Sequence, residues 1–318
     1  MLKIGIIGSG FGTIGLLPAF RSVKNCKVVA TCTKRSHWRA LLNRKDLDAV
    51  ALAVPPNVQY RIAKAAIARG LHVFAEKPLA ANIAQARELL ALAKTKKITH
   101  GIDFIFPEIA EWKKVKEFLD GERFGELKHI SANWDWLSGD IRFRRRTWRT
   151  NVKEGGGALS FYFSHGLYYL EHFAGQILDG KCLFTYSPLS LNGGEVGVDM
   201  LLKFKSGVTG NVHVSCNSSG RVTHKLIFEC ERGVIKLENK NAVVDNFEVR
   251  TYSQKSESKI KVKRDSGLRG EDERVKIVRT LAKRFVDACI RKEQMAPSFA
   301  NGLRVQELIE KIRTKAMQ

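Results

Sequence analysis

The hydrophobic pattern of the first hundred residues predicts strands that alternate with helices. Short apolar runs, bounded by glycine, proline or charged residues, are separated by segments in which apolar residues recur every three or four positions. The predicted strands are "KIGIIGSG", "KVVATCT", "DAVALAV", "HVFAEKP" and "ITHGIDF". The main predicted helices are "TIGLLPAFRSV", "NVQYRIAKAAIARG" and "NIAQARELLALAKTKK". This alternation is typical of a doubly wound parallel sheet with helices on both faces.

The pattern changes after about residue 120. Apolar and polar positions now alternate over long strands, namely "LKHISANWDW", "EVGVDMLLKFKSG", "VTGNVHVSC", "VTHKLIFECERGVIKLE" and "AVVDNFEVRTY". Helices are predicted at 155–175, 272–292 and 301–316. Such strands favour an antiparallel sheet with one packed face and one exposed apolar face, which would serve as an interface between copies of the chain. We expect two domains, 1–120 and 121–318, with the C-terminal helices free to pack back on the first.

Composition excludes several classes of protein. The 318 residues are 44% hydrophobic, enough to form a core in each domain. The six cysteines lack the spacing of a disulfide scaffold or a zinc site, so we expect a reducing compartment and no metal. The first residues lack the layout of a signal peptide, and no run approaches the roughly 18 apolar residues of a membrane span. The expected location is the cytoplasm, without membrane contact.

The formal net charge of +22 leaves two interpretations open. A positive field of this size attracts phosphorylated cofactors, anionic sugars or nucleic acid. Alternatively, the basic residues are spread over solvated faces and have no partner. Apart from one dense run, they are dispersed along the chain.

A glycine-rich loop follows the first predicted strand and precedes the first helix. Glycines in this position allow a tight turn and let a pyrophosphate approach backbone N–H groups at the helix N-terminus. The third glycine of the usual fingerprint is replaced by threonine, with a glycine one place earlier. The predicted dinucleotide contacts of the loop are Gly8, Ser9, Gly10, Phe11, Gly12 and Thr13.

The end of the second predicted strand indicates which dinucleotide binds. NAD-binding units place an acid here for the adenosine ribose. This chain has Thr33, Lys34 and Arg35 instead, and a hydroxyl with two cations suits a 2′-phosphate. We therefore expect NADP as cofactor, with NAD as the alternative. Lys34 and Arg35 could also simply begin a solvated helix.

The run "HVFAEKPLA" delivers a charge pair to the end of an apolar strand. A turn that faces solvent does not need a buried strand before it, whereas the carboxyl edge of a parallel sheet is where α/β folds bind their ligands. We therefore expect Glu76 and Lys77 at a reacting centre. The competing interpretation is a surface ion pair in a loop. The other predicted cofactor contacts are Pro55 and Pro56, after the third strand.

The stretches "KIGIIGSGFGTIGLLPAFR", "DAVALAVPPNVQYRIAKAAIARGLHVFAEKPLA" and "GGGALSFYFSHGLYYLEHFAG" resemble the Gfo/Idh/MocA oxidoreductases, relatives of glucose–fructose oxidoreductase and inositol 2-dehydrogenase. The likeness extends to the C-terminal "PSFANGLRVQELIEKI". It implies an α/β N-terminal Rossmann domain and an α+β C-terminal domain with an open-faced, mostly antiparallel sheet that often forms the dimer interface. The substrate, typically a sugar, cyclitol or nucleotide-sugar, lies between the domains in that family.

The resemblance also implies catalytic residues. Lys77 matches the family's active-site lysine beside the nicotinamide, and Glu76 would orient or neutralise it. His165 matches the catalytic histidine, but the aspartate expected one helical turn earlier is Phe161. A packed core histidine is the alternative for His165, and Tyr162, Tyr168 and Tyr169 are other candidates for a proton-exchanging group. Gln59 and Ile105 also replace a histidine and an arginine common in the family, so the substrate pocket differs from that of an inositol dehydrogenase.

The dense basic run is "RFRRRTWRT", residues 142–150, in a connection that borders the substrate cleft in the family. Arginines interleaved with aromatic rings could hold a phosphate or carboxylate and stack on a sugar or base. A solvated or dimer-contact loop is the next interpretation, and nucleic-acid binding ranks last.

Taken together, the sequence predicts an NADP-preferring oxidoreductase that interconverts a secondary alcohol and a ketone on a sugar-like, anionic substrate. The alternative is a catalytically silent dinucleotide-binding sensor of the same fold. Loss of the aspartate could be a step from an enzyme toward such a sensor. We expect a homodimer or homotetramer. The sequence names neither the substrate nor the direction of the reaction.

Overall fold

The computed structural model describes residues 1–34, 37–220, 222–240, 243–254 and 256–316. The chain forms two compact units. The first unit contains residues 1–105, 153–155 and 266–307, and the second contains the remainder. The division into functional domains at residue 120 stays a prediction.

The first unit contains a parallel sheet of five strands in the order β2-β1-β3-β4-β5. The strands are β1 (Leu2–Ile7), β2 (Cys26–Cys32), β3 (Ala49–Leu52), β4 (His72–Ala75) and β5 (His100–Ile102). The connecting helices are α1 (Leu17–Arg21), α2 (Trp38–Leu42), α3 (Pro56–Ala68) and α4 (Ile83–Thr95). A π-helical turn, Gly12–Leu16, precedes α1. The predicted parallel sheet is confirmed.

The core of the first unit also includes a helix from the end of the chain. Helix α8 (Val275–Arg291) buries Phe285 against Phe74 of β4 and Phe20 of α1, with ring centroids 5.6 and 6.1 Å apart. Helix α8 presents apolar residues every three to four positions on one face, and this face packs on the parallel sheet. The sequence of the first hundred residues alone does not reveal this contact. Part of the last helix, α9 (Phe299–Ala316), also belongs to this unit.

The second unit contains an eight-stranded sheet in the order β13-β12-β11-β10-β6-β9-β8-β7. Its strands are β6 (Leu127–Asp135), β7 (Ile177–Thr185), β8 (Gly197–Phe204), β9 (Thr209–Ser215), β10 (Thr223–Cys230), β11 (Gly233–Asn239), β12 (Glu248–Ser253) and β13 (Ser256–Ile260). All neighbours are antiparallel except β6 and β9. The helices of this unit include α5 (Ala110–Asp120), α6 (Gly139–Arg142), α7 (Ser164–Ala174) and the C-terminal part of α9.

The two faces of this sheet differ in polarity. One face is apolar and packs against aromatic side chains of the helices, as where Phe173 of α7 meets Phe228 of β10 at a ring distance of 4.8 Å. The other face carries hydrogen-bonded polar groups: His213 lies 2.6 Å from Asp199 and 3.1 Å from Asp135. The expectation of an exposed apolar face is therefore wrong, because the outward positions of β6, β8 and β9 are mainly polar side chains, with Leu201 as an exposed apolar exception.

Candidate active site

The glycine loop begins with a backbone position that only glycine tolerates. Gly8 has φ +144°, and a Cβ added there would lie 2.2 Å from the carbonyl oxygen of Ala53. The Thr13 hydroxyl donates a hydrogen bond of 3.3 Å back to the Gly8 carbonyl. Thr13, in the place of the usual third glycine, therefore ties the loop to the first helical turn. A Cβ on Gly10 would face open space, so the backbone there is accessible to a ligand.

A cavity beside this loop gathers several predicted cofactor residues. Its lining includes Gly8, Ser9, Thr33, Lys34 and Pro55. The described residues that line it include no aspartate or glutamate, and Lys34 supplies a positive charge. These features fit a dinucleotide with its adenosine ribose near Lys34. Other predicted contacts (Gly10, Phe11, Gly12, Thr13, Pro56) lie elsewhere in the loop and at the start of α3, and Arg35 lies outside the described residues.

The turn that carries Lys77 is held by a buried glutamine. Gln59 of α3 is 1% exposed, and its Nε2 donates to the carbonyl oxygens of Glu76 (2.6 Å), Pro78 (3.1 Å) and Leu79 (3.2 Å). The Glu76 N–H donates to the Leu52 carbonyl at the end of β3 (2.9 Å). The departure from histidine at position 59 therefore has a structural consequence, because an amide can donate two hydrogens toward this turn.

Two titratable residues that sequence reasoning missed, Asp103 and Arg274, lie near this edge of the sheet. Asp103 directly follows β5, and its N–H donates to the Ala75 carbonyl at the end of β4 (2.9 Å). Burial, followed by the nearby Glu76 carboxylate, raises the pKa of Asp103 well above its ordinary value, while Lys77 and Arg274 oppose this increase. A polar residue immediately after an apolar strand was the available signal for Asp103.

Arg274 comes from the N-terminal boundary of α8. Its guanidinium makes two hydrogen bonds to Asp272, of 2.7 and 2.8 Å, and lies 4.3 Å from the ring centroid of Phe11. Arg274 therefore lies against the glycine loop, and its positive charge acts on Glu76 and Asp103 at the edge of the sheet. Nothing in the local sequence signals this contact, since α8 is remote in the chain.

In the second unit, His165 is the second residue of α7 and is 8% exposed. Its ring meets the ring of Phe106 edge to face at 5.0 Å. The glycines before it serve packing: Gly157 has φ +93°, and a Cβ there would lie 2.4 Å from Oε1 of Glu195. That same oxygen accepts hydrogen bonds from the Leu159 N–H (3.0 Å) and from Arg313 (2.7 Å). This buried ion pair fixes the turn that leads to His165.

Phe161 replaces the family's aspartate with a ring in an aromatic cluster. It lies 4.8 Å from Trp148 and 4.4 Å from Tyr162, and the Arg149 guanidinium lies 5.3 Å from its centroid. Tyr169, one of the alternative proton-exchanging groups, is fully buried with its hydroxyl 3.1 Å from Nε2 of His224. Burial raises the pKa of Tyr169, so this phenol is a poor base.

The basic run is partly structural. Asp140 is 4% exposed and accepts a hydrogen bond from the Thr147 hydroxyl (2.9 Å), and Arg145 and Arg149 lie 3.5 and 3.4 Å from its carboxylate. These two arginines therefore neutralise a buried acid. Phe143 is 65% exposed, and Arg142 and Arg144 are exposed beside it.

The described residues contain no group of three histidine, cysteine, aspartate or glutamate side chains that could hold a metal. Within the same described residues, no helix is long and apolar enough to cross a membrane.

Comparison with known proteins decides the family. The NAD-binding Rossmann-fold domain of the GFO_IDH_MocA oxidoreductase family matches residues 18–104, and the C-terminal domain of that family matches residues 112–236. The chain belongs to the Gfo/Idh/MocA family. The predicted family and both predicted fold classes are thereby confirmed, and the Gfo/Idh/MocA chain carries that family's NAD-binding domain.

Curated relatives match parts of this Gfo/Idh/MocA chain. An uncharacterized oxidoreductase of Synechocystis sp. is 30% identical over 189 residues, which cover 54% of this chain and 50% of that protein. The dTDP-3,4-didehydro-2,6-dideoxy-alpha-D-glucose 3-reductase of Actinomadura kijaniata is 27% identical over 234 residues, 66% of this chain and 67% of that protein. The chain spans about half the length of several curated relatives that it matches.

Solved structures share the fold over almost the whole chain. A levoglucosan dehydrogenase in complex with NADH has a TM-score of 0.84 at 18% identity, covering 99% of this chain and 97% of that chain. A 3-ketoreductase from Actinomadura kijaniata in complex with NADP and TDP-benzene has a TM-score of 0.80 at 22% identity, with the same coverage.

Proposed function

We propose that this chain is an NADP-preferring oxidoreductase that interconverts a secondary alcohol and a ketone on a sugar, cyclitol or nucleotide-sugar-like substrate. The observation that carries the proposal is the Glu76–Lys77 turn, which stands at the carboxyl edge of the parallel sheet in the same unit as a cavity suited to a dinucleotide. The relatives support the substrate class, since several are named as sugar or nucleotide-sugar enzymes.

The cofactor would be held by residues of the first unit. The backbone of the loop from Gly8 to Thr13 would receive the pyrophosphate, and Thr33 and Lys34 would contact the ribose and its 2′-phosphate. When bound, the dinucleotide supplies or accepts the hydride. Similar structures contain either NADH or NADP, so the preference for NADP rests on Lys34 and on the acid-free lining among the described residues.

Lys77 and His165 are the proposed proton-exchanging groups. An ammonium near the substrate oxygen favours the alkoxide that forms as hydride leaves or reaches the adjoining carbon. His165 would act as base in oxidation or acid in reduction. Phe161 replaces the carboxylate that would stabilise a protonated imidazole, so we assign His165 this role without a carboxylate at that position.

We further propose a cytoplasmic homodimer or homotetramer. All six cysteines are free thiols, which suits a reducing compartment. The open sheet face carries acidic and basic groups together, among them His213 with Asp199 and Asp135, which suits a polar contact between identical copies.

Two alanine variants test the catalytic assignment. Lys77→Ala should abolish turnover and leave dinucleotide affinity nearly unchanged, because the lysine acts at the reacting carbon and not at the pyrophosphate. His165→Ala should lower turnover by roughly 10²–10⁴-fold, as for loss of a positioned acid–base group. Steady-state rates and fluorescence titration with NADPH measure both quantities. Lys96→Ala, which removes an exposed lysine at the end of α4, is the control.

Full activity in His165→Ala would contradict its assignment and move the base to Tyr168, because burial raises the pKa of Tyr162 as it does that of Tyr169. Weakened NADPH binding without loss of turnover in Lys77→Ala would contradict the role of the lysine.

A further inference from the structure

The most unusual feature of the Lys77 edge is a second carboxyl group. Asp103 follows β5 and Glu76 follows β4, and these strands are parallel neighbours in register from Val73 and His100 onward. The backbone hydrogen bond from Asp103 to Ala75 aligns the two strand ends. Because Ala75 pairs with Ile102, the next residues, Glu76 and Asp103, lie side by side at the ends of their strands, where their carboxyl groups interact.

A hydrogen bond between two carboxyl groups requires a proton on one of them. An ionised carboxylate only accepts, so two ionised groups would repel each other instead of bonding. Asp103 is 1% exposed, and its Oδ1 has no hydrogen-bond partner among the residues that the structure describes. Burying a carboxylate with an unsatisfied oxygen is costly, and the neutral acid reduces that cost. The geometry therefore favours the proton on Asp103.

The charges that face this pair do not neutralise a second carboxylate. They are Lys77, from the same turn as Glu76, and Arg274, from the start of α8. Arg274 is already engaged in two hydrogen bonds with Asp272. With Lys77 balancing one carboxylate, the site is closest to neutral when Asp103 keeps its proton.

We propose that Glu76 and Asp103 share one proton at neutral pH, with Asp103 as its carrier, and that this proton recharges Lys77 during turnover. The second part rests on the proposed function. Asp103 is thus a positioning residue and proton store that acts through Lys77 and does not touch the substrate.

In ketone reduction, the Lys77 ammonium gives a proton to the substrate oxygen, so an O–H bond forms and the lysine becomes a neutral amine. The Asp103 O–H bond then breaks and a new N–H bond forms on Lys77, which leaves Asp103 as a carboxylate. Water returns a proton to Asp103. Alcohol oxidation moves the same proton in the opposite direction.

Infrared spectroscopy tests the shared proton without any substrate. We expect the wild-type protein at neutral pH to show the C=O stretch of a protonated carboxyl group, at a pH where exposed carboxyls are ionised. Asp103→Asn should lose this band. Asp46→Asn is the matched control, because Asp46 is a half-exposed surface acid paired with Arg44 at 2.8 Å. Absence of the band from the wild-type protein would overturn the proposal even if the variant did not fold.

Kinetics test the role in turnover. Asp103→Asn should keep its NADPH affinity and lose turnover by at least about tenfold. This loss should be smaller than the loss caused by removing a group that touches the substrate. It should grow as pH rises, because protons from the solvent become scarcer. An unchanged pH profile in Asp103→Asn would overturn the recharging of Lys77. If no sugar were turned over by the wild-type protein while the band still followed Asp103, the proposed function would fail and the shared proton would be supported.

Discussion

Lys34 is the described residue whose charge we expect to distinguish the two dinucleotides. It lines the cavity with Thr33, and no described acid in that lining could pair with a ribose hydroxyl. Lys34→Ala should weaken NADPH binding by about 1.5–3 kcal/mol, the value of a charge-assisted hydrogen bond, and weaken NADH binding much less. Titration of both cofactors measures the difference.

The control for this prediction is Lys45→Ala, which removes an exposed lysine after α2. Equal affinity of the wild-type protein for NADPH and NADH would contradict the assignment of Lys34.

Single residues were predictable from the sequence where their signal is local. The glycine loop and Lys77 each stand beside a strand end, so their neighbours in the chain identify them. Asp103 and Arg274 could not be grouped with Lys77 in the same way, because only the pairing of β4 with β5 and the packing of α8 bring them together. The meaning of Phe161 also required the structure, which places its ring beside Trp148 and Arg149.

At the scale of elements, helix α3 holds the turn that carries Lys77 through the side chain of Gln59. Gln59→Leu leaves three carbonyl oxygens of the turn without this donor, and each unsatisfied buried group costs about 1–3 kcal/mol. We expect a lower free energy of unfolding and a lower turnover, since Lys77 is no longer held. Arg61→Leu changes an exposed position of the same helix and is the control.

Denaturant unfolding and steady-state kinetics measure these effects. A Gln59→Leu protein with wild-type stability and turnover would contradict this role, because the turn would then keep its conformation without the Gln59 hydrogen bonds. Gln59→His retains one donor, so its stability and turnover should lie between those of the wild-type protein and those of Gln59→Leu.

The elements themselves were predictable to different degrees. Short apolar runs that alternate with helical segments, as in the first unit, favour strands buried on both faces, so the parallel sheet followed from the pattern. The order of the eight-stranded sheet did not, because β6 pairs with both β9 and β10, which follow it at long range. The polarity of its open face was mispredicted. Alternation along the strands shows that the two faces differ, but it does not show whether the exposed face is apolar or polar.

At the scale of the whole molecule, a buried histidine predicts sensitivity to acid. His224 stacks on Trp134 at 4.4 Å, and burial lowers its pKa to about 3. In the unfolded chain a histidine binds its proton near pH 6.5. The unfolded state therefore takes up the proton first, and the free energy of unfolding should fall as pH drops from about 6.5 to about 3, by about 1.4 kcal/mol per unit from this residue.

His224→Gln should remove this part of the pH dependence, and His37→Gln, at an exposed position, is the control. Urea unfolding across this pH range measures it. A steeper acid loss in His224→Gln than in the wild-type protein would contradict the assignment.

The net charge of +22 also acts at this scale. It favours anionic ligands in general, in line with a phosphorylated cofactor and an anionic substrate. Part of it is structural, since Arg145 and Arg149 neutralise the buried Asp140. The charge alone therefore does not define a nucleic-acid surface.

The most direct test of the central claim is a turnover assay with the wild-type protein. The consumption of NADPH is followed by absorbance with a panel of keto-sugars and nucleotide-linked keto-sugars. The reverse reaction is measured with NADP and the corresponding alcohols. The account predicts turnover of at least one substrate pair, with NADPH used in preference to NADH and with the activity lost in Lys77→Ala. Tight NADPH binding without turnover of any member of the panel would contradict it and identify the chain as a dinucleotide-binding sensor.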